Sequence, residues 1–86
     1  MIITRELLAQ KLIAYLQHDS TLAQLVSWAE DAMMDAAFDP SHHDTVRSII
    51  GRLGVADVRA FGLTWEESED MLRRLGFTVR LEIMAA

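Results

Sequence analysis

The sequence of 86 residues contains no cysteine. This absence excludes a disulfide framework, a thiolate metal site and a cysteine nucleophile, and it fits a reducing cytosol. Long apolar runs are also missing, because the longest are far short of the roughly 20 residues that span a bilayer. The N-terminal stretch lacks the basic region and uninterrupted apolar run of a signal peptide. We therefore expect a soluble, cytoplasmic protein outside the membrane.

The sequence also lacks the motifs that most catalytic chemistry needs. The glycines form no phosphate-binding loop, and no serine lies in a Gly-x-Ser-x-Gly turn. The adjacent His42 and His43 would point about 100° apart on a helix and would not converge on one ion. Neighbouring carboxylates occur, but on faces predicted to be solvated. We predict no enzymatic activity, no cofactor and no metal site.

Positive charge is scarce in the first half of the chain. The net charge is −5, and the whole excess lies in residues 1–44, where two basic residues stand against seven acidic ones. The remaining residues carry equal numbers of both signs. An acidic surface repels nucleic-acid phosphates and favours a basic protein as the partner. An acidic surface that faces solvent and binds no partner explains the same charge.

Apolar residues at intervals of three and four predict two helices in the first half of the chain. Thr4 is expected to cap the first, which begins at Arg5. Ser20 or Thr21 is expected to cap the second, which extends to about Ala37. Residues 1–3 are apolar and prone to form a strand.

Two further helices and a short helical turn are predicted in the second half. The third helix follows Asp39 and Pro40, with Ser41 as a second candidate cap, and Gly54 ends it in a left-handed conformation. Residues 55–61 favour a short helix. Thr64 opens a capping box before a fourth helix over residues 65–75, which Gly76 ends. The apolar side chains of this helix, which are expected to point inward, are Trp65, Met71, Leu72 and Leu75.

The last regular stretch, "FTVRLEI", alternates apolar and polar residues and predicts a β-strand over residues 77–84. The fold class is therefore mainly α, a single small domain of residues 1–86. It resembles a four-helix bundle with a short extra helical turn and one C-terminal β-strand.

A lone strand needs a hydrogen-bonding partner. Residues 1–3, a second copy and a different protein are the three alternatives. We rank the second copy first, because antiparallel pairing centred near Leu81 places Arg80 of one copy opposite Glu82 of the other. The strand of this predicted homodimer comprises Val79, Arg80, Leu81, Glu82 and Ile83.

The predicted surface for the partner lies on the second helix. Glu30, Asp31 and Asp35 lie off its apolar face and offer negative charge to a basic protein. Trp28 lies beside that face and is a candidate interface anchor, although a ring covering the edge of the helix pair explains it too. Residues 33 and 34 are both methionine, so at least one of them is expected to leave the core.

Residues 7–33, "LLAQKLIAYLQHDSTLAQLVSWAEDAM", resemble the opening helix pair of small acidic bacterial immunity proteins, such as those that neutralise colicin D-type nucleases. The resemblance covers about a third of the chain, and Asp19 and Ser20 replace the glycine often found at the turn. It implies a non-enzymatic antitoxin or immunity-type protein, and it assigns no residue a role.

Two other functions remain as alternatives. Residues 47–83 have the outline of a winged helix, which would make the chain a DNA-binding regulator. Carboxylates crowd the first half of the would-be recognition helix, where phosphates would repel them. The other alternative is a structural homodimer with no site of its own.

Overall fold

A computed structural model describes residues 2–35, 37–56 and 62–78. In chain order the elements are β1 (Ile2–Ile3), α1 (Arg5–Leu16), α2 (Leu22–Asp35), β2 (Ala37–Phe38), a 3₁₀-helix (Pro40–His42), α3 (His43–Leu53) and α4 (Trp65–Arg74). The described part of the chain is mainly helical, as predicted, and its resemblance to a four-helix bundle stays a prediction. Within those ranges no helix is both long and apolar enough to cross a membrane.

Threonine side chains begin three of these helices. Thr4 and Thr64 each accept, at 3.1 Å, the backbone N–H three residues further on. Thr21 and Gln24 cap α2 reciprocally, because each side-chain oxygen accepts the other residue's backbone N–H, at 2.9 and 3.1 Å. Each bond satisfies an N–H that has no partner inside its helix. The caps predicted at Thr4 and Thr64 are confirmed, and Thr21 rather than Ser20 caps α2.

The two short strands form a parallel pair that joins the start of α1 to the end of α2. Ile2 lies opposite Ala37 and Ile3 opposite Phe38, and the N–H of Asp39 donates to the carbonyl of Ile3 at 3.0 Å. The prediction that α2 extends to about Ala37 is therefore wrong, because residues 37 and 38 are strand. β2 also pairs with one edge of residues 2 and 3. This N-terminal segment was one of the three candidate partners for the predicted C-terminal strand.

The predicted start and the predicted end of the third helix both differ in the structure. Ser41 lies inside the 3₁₀-helix, where Asp39 accepts its N–H at 3.0 Å, so Asp39 is the capping residue and Ser41 is not. Gly54 has a φ of −63°, in the right-handed region, because the chain continues into another turn instead of reversing. The prediction for Gly76 is confirmed, with a φ of +96°.

A single hydrophobic core joins β1 and all four helices. α2 packs most extensively against α3, and α4 against α1. The larger buried side chains of this core are Ile3, Leu8, Leu12, Leu25, Val46, Ile49, Ile50, Leu53, Met71, Leu72 and Leu75. The inward positions predicted for Met71, Leu72 and Leu75 are confirmed.

Two predicted elements fall mostly outside the described residues. Of the short helix predicted at residues 55–61, only 55 and 56 are described, and they form a turn. The C-terminal strand predicted over 77–84 begins with Phe77 and Thr78, which are not in a strand, so its predicted start is wrong. The rest of it, with the dimer-strand residues 79–83, lies outside the described ranges and stays a prediction.

Candidate protein-interaction surfaces

Trp28 lies at the edge of α2 that faces α1. Its side chain is half-buried against the core, and the Lys11 ammonium group lies 5.6 Å from the centroid of its ring. A cation at this distance is attracted to the electron-rich face of the ring. The structure therefore places Trp28 as a cover over the helix pair, with part of its surface still accessible to a partner.

Two of the three predicted acidic residues, Glu30 and Asp31, are spread across the outer face of α2. Glu30 and Asp31 are both exposed, and consecutive helical residues point about 100° apart. Glu30 lies beside Gly54, near the end of α3, whereas Asp31 comes three residues after Trp28 on the side of α1. Asp35 is the last residue of α2, and the structure does not describe its side chain. The carboxylates of Glu30 and Asp31 therefore point in different directions rather than towards one focused site.

Two methionines add apolar area to this face. Met34 is 81% exposed and Met33 is 43% exposed, so both leave the core, although the sequence required only one to do so. Met34 comes four residues after Glu30 and three after Asp31, and these spacings place side chains on the same side of a helix. We call these four residues, Glu30, Asp31, Met33 and Met34, the acidic–methionine surface.

A hollow of about 280 Å³ lies between α2 and α3 next to this surface, lined by Met33, Asp44, Arg47, Ser48 and Gly51. A Cβ atom built at Gly51 would meet nothing within 4 Å. The hollow is thus open enough for another chain to approach the backbone of α3. Sequence reasoning missed it, because Gly51 has the pattern of an ordinary residue inside a helix.

A second, more apolar groove of about 270 Å³ runs between α1 and α4. We call it the α1–α4 groove, and its lining residues are Ile13, Leu16, Gln17, Trp65, Leu72, Phe77 and Thr78. Trp65 was predicted to point inward, but it is 41% exposed. That prediction is wrong because Trp65 is the first residue of α4, where the side chain reaches past the end of the core.

Two side chains of kinds that can carry chemistry, His43 and Ser68, take part in local contacts. The ring of His43 meets Phe38 edge-on, with centroids 5.7 Å apart. Ser68 is buried, and its hydroxyl donates to the Thr64 carbonyl at 3.0 Å. In the part of the chain that the structure describes, no three metal-ligating side chains come together.

Comparison with protein-family models, with curated proteins and with solved structures finds no match for this chain.

Proposed function

We propose that this protein is a non-enzymatic interaction module of the cytoplasm that binds a basic protein through the acidic–methionine surface. The exposure of Met34 carries the proposal. A long apolar side chain that is 81% exposed gains from being covered. It lies between two exposed carboxylates, Glu30 and Asp31, for which no ion pair is found within the described residues. A partner with cationic side chains around an apolar centre matches this arrangement.

Methionine suits such a contact because its side chain is flexible and polarizable and adapts to the shape of a partner. The surrounding carboxylates would guide a cationic partner and increase its association rate, with a strong dependence on ionic strength. The resemblance of residues 7–33 to immunity proteins supports the same class, since those proteins are small, acidic and helical. We therefore propose an antitoxin or immunity-type protein as its class.

The test compares charge reversals on two parts of the molecule. Proteins captured from a cell extract at low salt are identified, and a basic one is purified for titration calorimetry. We expect Glu30→Lys with Asp31→Lys to weaken its binding at least tenfold, about 1.4 kcal/mol. Asp19→Lys with Glu66→Lys changes the net charge equally at exposed positions elsewhere, and it should change the affinity less than about threefold. Capture of only acidic proteins, or equal losses from both pairs, would contradict the proposal.

We also propose that two copies associate through residues 79–83. The complementary placement of Arg80 and Glu82 in an antiparallel self-pairing supports this homodimer. A light-scattering mass of a single chain across a concentration series would contradict it.

A further inference from the structure

The three methionines of the described ranges differ widely in their exposure to solvent. Met34 is 81% exposed, Met33 is 43% exposed and Met71 is 4% exposed. The chain contains no cysteine, so it has no thiol that would react with an oxidant first. Because peroxides readily oxidise the thioether sulfur of methionine, the exposed methionines are the groups that a peroxide in solution reaches first.

Oxidation at Met34 would leave the fold intact. Its side chain belongs neither to the hydrophobic core nor to the partly buried side chains that pack against the core in the described ranges. Met71, by contrast, is part of that core, where the oxygen of a sulfoxide would be buried without a hydrogen-bonding partner. The order of exposure therefore directs the reaction to a methionine whose modification the fold tolerates.

We propose that Met34 is a modification site for hydroperoxides, and that its oxidation weakens partner binding at the acidic–methionine surface. The effect on binding rests on the proposed function, in which Met34 is the apolar centre of the contact. The Met34 sulfur attacks one oxygen of hydrogen peroxide, and the O–O bond breaks as the S–O bond forms. The proton on the transferred oxygen moves to the departing hydroxide, which leaves as water. Sulfur loses two electrons, and these reduce the peroxide.

The sulfoxide changes the polarity of this surface but not its charge. The apolar side chain becomes polar, and covering its new oxygen with an apolar part of the partner costs free energy. The exposed carboxylates of Glu30 and Asp31 are unaltered, so the electrostatic attraction that sets the association rate remains. Oxidation should therefore raise the dissociation rate constant about tenfold and change the association rate constant less than about twofold.

The first experiment locates the modification and needs no partner. The whole chain is treated with hydrogen peroxide, quenched, digested with trypsin and analysed by mass spectrometry. Tryptic peptide 12–47 contains Met33 and Met34 as its only methionines, which fragmentation separates, and peptide 60–73 contains only Met71. We expect Met34 to be oxidised first, about tenfold or more faster than Met71, while the helical circular dichroism is unchanged. Equal rates at Met34 and Met71, or loss of helix when only Met34 is oxidised, would overturn the assignment.

The second experiment measures the rate constants for the basic protein that has been captured and purified, by surface plasmon resonance before and after peroxide treatment. Each variant is compared with itself, so that its starting affinity does not enter the result. The wild type should lose about tenfold in affinity, and methionine sulfoxide reductases should restore it. Met34→Leu has no thioether at this position, so treatment should change its affinity less than about twofold. Met33→Leu is the matched control and should keep the tenfold loss.

The outcomes separate this inference from the proposal on which it rests. If Glu30→Lys with Asp31→Lys weakens binding but oxidation of Met34 changes neither rate constant, the proposed function stands and the inference is overturned. A peroxide response that persists in Met34→Leu also overturns the inference. If no basic protein is captured, the proposed function fails and the effect on binding fails with it, whereas the first experiment still decides whether Met34 is the oxidised residue.

Discussion

At the scale of single residues, Gly76 and Arg5 show how the lack of a side chain at one position makes room for a side chain from another helix. Its φ of +96° turns the chain sharply at the end of α4. At this turn Arg5 donates from Nη1 to the Leu75 carbonyl at 3.1 Å. The guanidinium of Arg5 also lies 5.4 Å from the centroid of the Phe77 ring. Arg5 thereby joins the first turn of α1 to the end of α4, and Gly76 leaves the space in which it lies.

We predict that Gly76→Ala destabilises the protein. The new Cβ would lie 2.6 Å from Arg5 Nη1, and a φ of +96° disfavours any side chain. Strain and displacement of Arg5 together should cost about 1–3 kcal/mol of unfolding free energy. Gly51→Ala is the matched control, because its Cβ meets nothing and alanine favours a helix interior by up to about 1 kcal/mol. Urea denaturation should show opposite shifts in midpoint, and equal shifts would contradict this explanation.

At the scale of elements, Arg52 connects the end of α3 with the start of α4. Its Nη2 donates to the Gly62 carbonyl at 2.7 Å and lies 2.9 Å from Glu67 Oε2. The predicted capping box is thus only half present, since Thr64 accepts the Glu67 N–H while the Glu67 carboxylate turns to Arg52. A charged pair with an added backbone bond is stronger than either contact alone.

We predict that Glu67→Gln lowers the unfolding free energy by about 0.5–1 kcal/mol, because the pair is partly exposed and an amide bonds guanidinium more weakly. Glu69→Gln removes a carboxylate from the same helix, where it pairs with Arg73 at 3.0 Å within one turn. Such a pair contributes only about 0.3–0.5 kcal/mol. The two variants should therefore differ in urea midpoint, with Glu67→Gln the less stable. The reverse order would show that Arg52 does not join α3 to α4 in this way.

The elements that could be predicted from the sequence are those that depend on neighbouring residues. Helices depend on local periodicity and on caps such as Thr4 and Thr64, so the starts of α1, α2 and α4 were predicted correctly, whereas α3 begins only at His43, after a 3₁₀-helix that the pattern did not indicate. The pairing of β1 with β2 was not predicted, because two residues leave no periodic pattern and their partners lie about 35 positions apart. Gly54 was assigned a helix-ending conformation that depends on where the chain goes next, which local sequence does not specify.

The candidate surfaces were predictable only in part. Charge on α2 follows from composition, and the exposure of Glu30 and Asp31 follows from their positions off the apolar stripe. The α1–α4 groove was missed, because it depends on how far Trp65 extends beyond the core and on how Phe77 folds back. These features arise from packing between α1 and α4, which are separated by half the chain.

At the scale of the whole molecule, the arrangement of charge favours the proposed protein partner over DNA. The outline of a winged helix would make α4 the helix that enters the major groove, with its first half towards the bases. Glu66 is exposed in that half, and Asp70, directly after it, is exposed as well. The cations near its end are already engaged, since Arg73 pairs with Glu69 at 3.0 Å and Arg74 donates to a serine of α3 at 3.4 Å.

We therefore predict that micromolar wild-type protein does not retain duplex DNA in a gel shift at about 50 mM salt, where phosphate contacts are strongest. Glu66→Lys with Asp70→Lys should produce weak retention that disappears by about 200 mM salt, as expected for counterion release. This variant controls for the shape of the helix, because it changes only the sign of exposed residues. Retention of DNA by the wild type would mean that phosphates tolerate the carboxylates of α4, and the winged-helix alternative would then be preferred over a basic protein partner.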